Sequence, residues 1–158
     1  MLGGDIDFCN DLARFAEQQG EFVFVLAEWE NVDLVRSSCS IPDLSLASRR
    51  FSIGVMSARS DWRSAGILSG IHVGLIFDEL SEEQLDAIGS SQLFRVRSLH
   101  DGPEIDLTVC CVAVRFDGQS FADLLSDAVR QVEAVSSAQS PWARRRRDPR
   151  VWCDAERL

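Results

Sequence analysis

Two pairs of acidic side chains could perform acid–base chemistry. Glu28 and Glu30 flank Trp29 at the end of an apolar run, and Glu82 and Glu83 stand at the start of a predicted helix. Neighbouring carboxylates can serve as general acid and general base. The helix dipole accounts for the second pair, because negative charge is stabilising in a first helical turn. For Glu28 and Glu30 we expect a solvent-facing strand end, with an acid–base pair as the alternative.

The thiols and imidazoles form no familiar catalytic or metal-binding motif. No Cys-x-x-Cys spacing occurs, and Cys110 and Cys111 are adjacent in a predicted strand, so their side chains point to opposite faces. We expect Cys9, Cys110 and Cys111 to be small buried apolar side chains. A reactive Cys39 or a catalytic His72 is the alternative that would make the protein an enzyme. No residue pattern predicts a cofactor or a metal ion.

The amino terminus and the cysteine content predict where the protein works. The first residues lack the basic and apolar regions of a secretion signal, and no stretch reaches the roughly 18 apolar residues of a membrane span. We therefore expect the five cysteines to be free thiols in a reducing compartment. The sequence predicts a cytoplasmic protein with no membrane association.

All basic residues of the chain are arginines, and their distribution is uneven. The net charge is -9, and the absence of lysine excludes Schiff-base chemistry and a P-loop lysine. Residues 1–140 hold 10 Arg and 22 acidic residues, whereas residues 141–158 hold 6 Arg and 3 acidic residues. An acidic body repels phosphates and attracts basic proteins. We expect a protein partner that is basic or partly unfolded, and nucleic acid only through the Arg-rich end.

Aromatic and arginine side chains in two polar stretches suit protein recognition. Trp62 and Arg63 lie in a Ser- and Gly-rich stretch, and Trp142 stands shortly before four consecutive arginines. Trp62 packed on the local core is an equally good interpretation. For the Arg-rich end we expect a solvated tail, with docking on its own acidic body or on a second copy as the alternative. The candidate partner-binding residues are Glu28, Trp29, Glu30, Trp62, Arg63, Trp142, Arg144, Arg145, Arg146 and Arg147.

Hydrophobic periodicity predicts the elements of the first half. Helical spacing over residues 5–18 indicates a helix, and the apolar run from Glu21 to Trp29 indicates a buried strand. An edge strand near Val32–Val35 is expected next, followed by a Ser-rich connection that Pro42 interrupts. Alternating side chains then predict two strands separated by a loop, with the strands at 51–57 and 71–78 and the loop at 58–70.

The second half carries the clearest local signals. Ser81 and Gln84 form a capping box and predict a short helix, Ser81–Gly89. Asp101-Gly102 predicts a hairpin between two strands. A broad apolar stripe, capped by Ser120, predicts a long final helix. The two strands are expected at Leu93–Leu99 and Glu104–Phe116, and the helix from Gln119 to about Ser136.

The element order predicts an α+β fold. We expect an antiparallel sheet with an N-terminal helix, a short middle helix and a long C-terminal helix, the helices covering one face. Residues 1–138 would form a single acidic domain, and residues 139–158 a flexible Arg-rich C-terminal tail. No predicted strand leads into a Gly-rich turn, so the usual nucleotide-binding fingerprint is absent.

This order of elements resembles that of small acidic type III secretion chaperones and the related YbjN-like domains. The resemblance covers Asp5–Ser136. It rests on the short helix Ser81–Gly89, the hairpin at Asp101-Gly102, and the passage through Phe116-Asp117-Gly118 into the last helix. The resemblance implies a cytoplasmic dimer that holds an extended segment of another protein, without catalysis.

Three functions follow from these observations. The main prediction is a non-enzymatic protein-binding module, chaperone-like or adaptor-like, that binds a segment of a partner protein and could form a homodimer. The first alternative is an immunity protein or antitoxin whose acidic surface blocks a basic toxin. The second alternative is a thiol- or His-dependent enzyme, since a fold alone never excludes chemistry.

Overall fold

The computed structural model describes residues 4–18, 20–88, 92–96, 104–136 and 141–153. Helices and strands alternate irregularly along these residues. In chain order they are α1 (Gly4–Glu17), β1 (Phe22–Trp29), α2 (Val32–Ser38), α3 (Ile41–Ser57), β2 (Ser64–Ser69), β3 (His72–Phe77), α4 (Glu82–Ile88), β4 (Gln92–Val96), β5 (Ile105–Phe116), α5 (Phe121–Val135), α6 (Pro141–Arg146) and α7 (Pro149–Trp152).

The described strands form a five-stranded antiparallel sheet in the order β2-β3-β1-β5-β4. Strand β1 lies in the centre, with β3 on one side and β5 on the other. Every residue of β1 is buried, as its continuous apolar run predicts. The antiparallel sheet with its helices confirms the predicted α+β class.

Helices cover both faces of the sheet, whereas the sequence predicts cover on one face. Val25 and Ala27 of β1 belong to one core, together with Phe51 of α3. Phe24 and Leu26 point the other way and belong to a second core, formed with α1 and α5. Cover on both sides explains why β1 is apolar at every position except Glu28 rather than at alternate ones.

Helix α3 occupies the stretch for which the sequence predicts a Ser-rich connection and a strand at 51–57. The Ser40 side chain caps the helix by accepting a hydrogen bond from the backbone N–H of Asp43 over 3.3 Å. Pro42 sits in the first turn, where its missing N–H costs nothing. Phe51 and Val55 lie on the buried face of the helix. The strand prediction was wrong because Phe51 and Val55, which belong to the alternating pattern, are four residues apart and therefore also lie on one face of a helix.

Two further elements differ from the sequence predictions. Residues Val32–Ser38 form helix α2 rather than an edge strand, with Val32 and Val35 buried. The stretch predicted as a loop contains strand β2, which pairs with β3 at the edge of the sheet. Alternate side chains of β2 are buried, a pattern that its glycine and serines conceal in the sequence.

The capping signals are confirmed. The backbone N–H of Ser81 donates to Gln84 Oε1 over 2.8 Å, and the N–H of Gln84 donates to Ser81 Oγ over 3.1 Å. Ser120 caps α5 in the predicted way. The predicted end of α4 at Gly89 and the predicted hairpin turn at 100–103 lie outside the described residues.

The C-terminal segment (residues 141–153) packs on the domain, whereas the sequence predicts a flexible tail. Its first helix joins one core through Ala143, and its second helix joins the other core through Trp152. The segment therefore wraps around one end of the sheet. Among the described residues, no helix combines the length and the apolar character that a bilayer crossing needs.

A disulfide ties the C-terminal segment to the first helix. Cys153 is bonded to Cys9 of α1; their Cα atoms are 5.7 Å apart, and the two residues are 144 positions apart in the sequence. The expectation that every cysteine is a free thiol was therefore wrong for this pair. No local spacing could announce the bond, because the two cysteines stand near opposite ends of the sequence.

Candidate functional site

A buried ionic network joins the central strand to the C-terminal segment. Glu28, at the end of β1, is fully buried and stands opposite His72 of β3 in the strand register. His72 Nε2 lies 2.8 Å from Glu28 Oε1. Arg147, which follows α6, donates from Nε and Nη2 to the two Glu28 oxygens, each over 2.7 Å. Glu28 is therefore clamped by two partners from distant parts of the chain.

The protonation states of this network follow from its geometry. Burial raises the pKa of Glu28, but the hydrogen bonds from Arg147 and His72, together with the positive charge of Arg147, outweigh that effect and lower the pKa below its usual value. Burial lowers the pKa of His72, and the neighbouring Glu28 opposes this only in part. The hydrogen bond to Glu28 raises the pKa of Arg147 further. The network thus holds a carboxylate, a guanidinium and a neutral imidazole.

A serine hydroxyl completes a relay on the far side of His72. A carboxylate can only accept hydrogen bonds, so the neutral imidazole donates its Nε2–H to Glu28 and leaves Nδ1 as an acceptor. The half-buried Ser69 at the end of β2 places its Oγ 2.8 Å from Nδ1 and donates to it. The same Oγ accepts from the backbone N–H of Ile71 over 3.2 Å. Ser69, His72 and Glu28 form a hydroxyl–imidazole–carboxylate chain.

The second acidic residue of the predicted pair is also buried. Glu30 is 4% exposed and accepts a hydrogen bond from Ser136 Oγ over 3.3 Å. The expectation that Glu28 and Glu30 face solvent was wrong, because the C-terminal segment and the end of α5 cover this end of the sheet. Trp29 between them is 1% exposed and points to the other face, where its Nε1–H donates to Asn31 Oδ1 over 2.8 Å.

A cavity of about 290 Å³, named here the tryptophan pocket, opens beside Trp29. Helices α2 and α3, the turn between β2 and β3, and helix α6 surround it. Its lining residues are Trp29, Val32, Arg36, Leu44, Ser45, Ser48, Gly70, Ile71, Trp142 and Arg146. The pocket therefore combines two indole walls with two guanidinium groups and two hydroxyls, and one of its walls belongs to the C-terminal segment.

Arginines flank the indole ring of Trp142. The Arg36 guanidinium carbon lies 4.1 Å from the ring centroid, and that of Arg146 lies 4.6 Å away. Arg145 approaches the same ring at 5.9 Å. Such stacking orients a guanidinium while leaving its N–H groups able to donate. The sequence singled out Trp142 and Arg146 as candidate binding residues, whereas Arg36 was missed because nothing local distinguishes it from other helical arginines.

The remaining candidates lie apart from this site. Trp62 packs against the core and donates its Nε1–H to the Met56 carbonyl over 2.9 Å. Arg63 is exposed, forms an ion pair with Asp78 over 2.5 Å, and lies 4.8 Å from the Phe15 ring centroid. Trp62 and Arg63 therefore diverge, the first inward and the second outward.

The four consecutive arginines of the C-terminal segment have different environments. Arg144 and Arg145 are exposed, Arg146 is half-buried at the tryptophan pocket, and Arg147 is 4% exposed inside the ionic network. The structure thus divides the cluster between surface and interior. That any of these residues binds a partner protein stays a prediction.

One of the free thiols, that of Cys110, lies beside the ionic network, because it stands opposite Glu28 in the register of β5 and β1. Burial raises the pKa of Cys110 to about 11 and that of Cys111 to about 12, so both remain protonated and unreactive at neutral pH. Both are buried as the sequence predicts, and Cys39 is half-buried against the core. Within the described part of the chain, no three His, Cys, Asp or Glu side chains come together in a way that could hold a metal ion.

Sequence comparison assigns no family, whereas comparison of folds finds similar solved structures. No protein-family model and no curated protein matches the sequence. The fold is similar to that of the FimX GGDEF domain from Pseudomonas aeruginosa, with a TM-score of 0.54 and 12% identity over 82% of this chain and 84% of that chain. The active GGEEF domain of a diguanylate cyclase from Vibrio cholerae is also similar, with a TM-score of 0.49 and 10% identity over 81% and 84% of the two chains.

These neighbours correct the functional predictions. The resemblance to type III secretion chaperones and YbjN-like domains was wrong, because the fold is instead similar to that of a GGDEF domain. The predicted non-enzymatic chaperone-like or adaptor-like module, and the immunity-protein alternative, lose their basis with it. The enzyme alternative agrees better with a fold found among GGDEF domains. At 12% identity the comparison establishes one thing about this chain, which is that it has the GGDEF-domain fold.

Proposed function

We propose that the protein binds a small anionic molecule carrying a flat ring, and that the tryptophan pocket is the binding site. The observation that carries this proposal is the stacking of Arg36 and Arg146 on Trp142 at the edge of a cavity whose other wall is Trp29. Indole walls favour a flat ring, and guanidinium forks favour carboxylate or phosphate oxygens.

The local charge supports an anionic ligand despite the acidity of the whole protein. The C-terminal segment holds five arginines and one aspartate. Arg36 Nη1 lies 3.8 Å from Asp33 Oδ1. This ion pair is loose and leaves most N–H groups of Arg36 able to bind a ligand. Arg146 forms no ion pair with a described carboxylate. A cavity of about 290 Å³ is just below the roughly 300–1,000 Å³ range of small-molecule sites, so the ligand is small.

Titration with phenyl phosphate tests the proposal, because this probe combines one ring with one phosphate. We expect saturable binding by calorimetry, and weaker binding of phenol and of inorganic phosphate, each of which lacks one of the two features. Arg146→Gln should weaken phenyl phosphate binding by roughly 10- to 100-fold, as the loss of a charged hydrogen bond does. Arg144→Gln removes the same charge from an exposed position outside the pocket and should change the affinity little. Equal affinities of the two variants would contradict the site.

A second candidate function is hydrolysis of a small ester by Ser69. The supporting observation is the Ser69–His72–Glu28 chain, next to Gly70 of the pocket lining. Ser69 Oγ would attack the ester carbonyl while its proton passes to His72 Nδ1. The imidazolium would then protonate the leaving alcohol, and water would release the acyl group by the same route.

A fluorophosphonate probe tests this second candidate. We expect covalent labelling of Ser69, abolished in Ser69→Ala and strongly slowed in His72→Gln. Ser45→Ala, at a hydroxyl of the pocket lining, is the control and should label normally. Labelling that is unaffected by His72→Gln would contradict the relay, and an absence of labelling at Ser69 would remove the candidate.

A further inference from the structure

The C-terminal segment contributes to both features of the site. Trp142 and Arg146 form one wall of the tryptophan pocket, and Arg147 clamps Glu28. Trp152 lies against His72 with ring centroids 4.9 Å apart, and its Nε1–H donates to the Arg146 carbonyl over 2.7 Å. Release of this one segment would therefore open the pocket and uncover the relay at the same time.

The noncovalent hold on the segment is limited. Its buried side chains are those of Ala143, Arg147, Trp152 and Cys153, and the others are exposed or half-buried. Its two helices have six and four residues, which is too short for either to be stable alone in water. The segment is helical because it is docked, so whatever fixes its end contributes strongly to docking.

We infer that the Cys9–Cys153 disulfide is a redox latch that holds the C-terminal segment over the pocket. With the bond intact, the far end of the segment stays beside α1, and the contacts of Arg147 and Trp152 form at high effective concentration. With the bond reduced, the segment is held by those contacts alone and is undocked for a larger fraction of the time. The inference that the latch regulates ligand binding rests on the function proposed above.

The switching reaction is ordinary thiol–disulfide exchange. One thiolate of a dithiol reductant attacks the Cys153 sulfur, and Cys9 leaves as a thiolate that takes up a proton. The second thiol of the reductant then displaces Cys153, so two electrons and two protons reach the protein and the reductant becomes a disulfide. Cys153 is the more accessible sulfur-bearing residue, at 8% exposure against 3% for Cys9.

Ligand and latch must affect each other if the pocket wall belongs to the segment. A ligand that contacts Trp142 and Arg146 binds the docked state, so oxidation should tighten its binding. By reciprocity the ligand should make the disulfide harder to reduce by the same factor.

Arginines at the surface of the segment also report docking directly, because trypsin cleaves after arginine only where the chain can open locally.

Limited trypsin digestion of the full chain, read by intact mass, tests the latch without any ligand. We expect cleavage within 144–150 to be at least tenfold faster after reduction, and in Cys153→Ser without reductant, than in the oxidised protein. Cys39→Ser removes a half-buried free thiol and serves as the control. We expect reduction to accelerate its cleavage as much as it accelerates cleavage of the unaltered protein. Equal cleavage rates in oxidised and reduced protein would overturn the latch.

Phenyl phosphate affinity measured in the same two redox states tests the coupling. We expect at least tenfold tighter binding to the oxidised protein. Equal phenyl phosphate affinities of the oxidised and the reduced protein would overturn the inference that the disulfide regulates ligand binding. An absence of phenyl phosphate binding in both states, with the cleavage difference intact, would refute the proposed ligand site and support the latch as a device that acts on the segment alone.

Discussion

Replacement of Arg147 by methionine tests whether the buried ion pair holds the C-terminal segment in place. Arg147→Met keeps much of the side-chain volume and removes both 2.7 Å hydrogen bonds to Glu28. Glu28 is 0% exposed, so the variant leaves a buried carboxylate with the His72 N–H as its remaining partner. Removal of one member of a buried ion pair costs about 3–5 kcal/mol. At about 3 °C per kcal/mol for a chain of this length, Tm should fall by roughly 9–15 °C.

Urea unfolding of the oxidised protein measures this change as a free energy. Arg144→Met is the matched control, because it removes the same charge from an exposed position three residues earlier in the same segment. We expect the control to remain within about 0.5 kcal/mol of the unaltered protein. A loss below about 1 kcal/mol in Arg147→Met, or equal losses in the two variants, would refute a stabilising contact between Arg147 and Glu28.

The pH dependence of the same variant gives a second, independent signature. The lowered pKa of Glu28 in the folded protein contributes stability above the unfolded pKa near 4.5, and that stability is lost as pH falls. Without Arg147, burial raises the pKa of Glu28 instead, so the folded variant takes up a proton more readily. The difference in unfolding free energy between the two proteins should therefore shrink from pH 7 to pH 4. A difference that is constant over this range would contradict a buried, charged Glu28.

Two further substitutions test the packing around the site. Because burial lowers the pKa of His72, the unfolded chain binds a proton below about pH 6.5 that the folded protein excludes, and stability falls on acidification by up to about 1.4 kcal/mol per pH unit. His72→Gln should remove this slope between pH 6.5 and 5 in urea unfolding, and an unchanged slope would contradict a neutral buried imidazole. Gly74→Ala should cost about 1–3 kcal/mol by thermal unfolding, because its Cβ would lie 2.6 Å from the buried Phe8 ring, whereas Gly20→Ala, with nothing within 4 Å, should cost little. Equal losses at the two glycines would contradict the close approach of Phe8.

The sequence predicts elements well where one local signal has one structural meaning. The apolar run of β1 and the capping box at Ser81 and Gln84 are of this kind, and both are confirmed. Helix α3 was missed because proline is compatible with two local structures. Pro42 would break the interior of a helix, but it is favoured in a first helical turn. With Ser40 taken as part of a Ser-rich loop, the cap that decides between those structures was overlooked.

The candidate site depends on contacts that no local pattern encodes. Glu28 is 44 residues from His72 and 119 residues from Arg147 along the chain. One available signal was the position of Glu28 itself, since an acidic residue inside an otherwise apolar strand needs a buried partner. The sequence contains 16 arginines that could serve, and only the fold selects Arg147 among them. The same holds for the disulfide, whose two cysteines carry no spacing signature.

The central position of β1 has a consequence for the order in which the chain can fold during synthesis. The ribosome produces β1 early, but its second neighbour, β5, ends roughly 90 residues later. At about 5–20 residues per second this interval is roughly 5–18 s, during which an eight-residue apolar strand has an unsatisfied edge. The edge of β1 in the nascent chain can therefore pair with strands of other chains until β5 emerges. Unfolding of the finished protein would expose the same edge again. Slow elongation and high expression temperature should both lower the soluble yield of this protein, while substitutions on the outer surface of α5 should not.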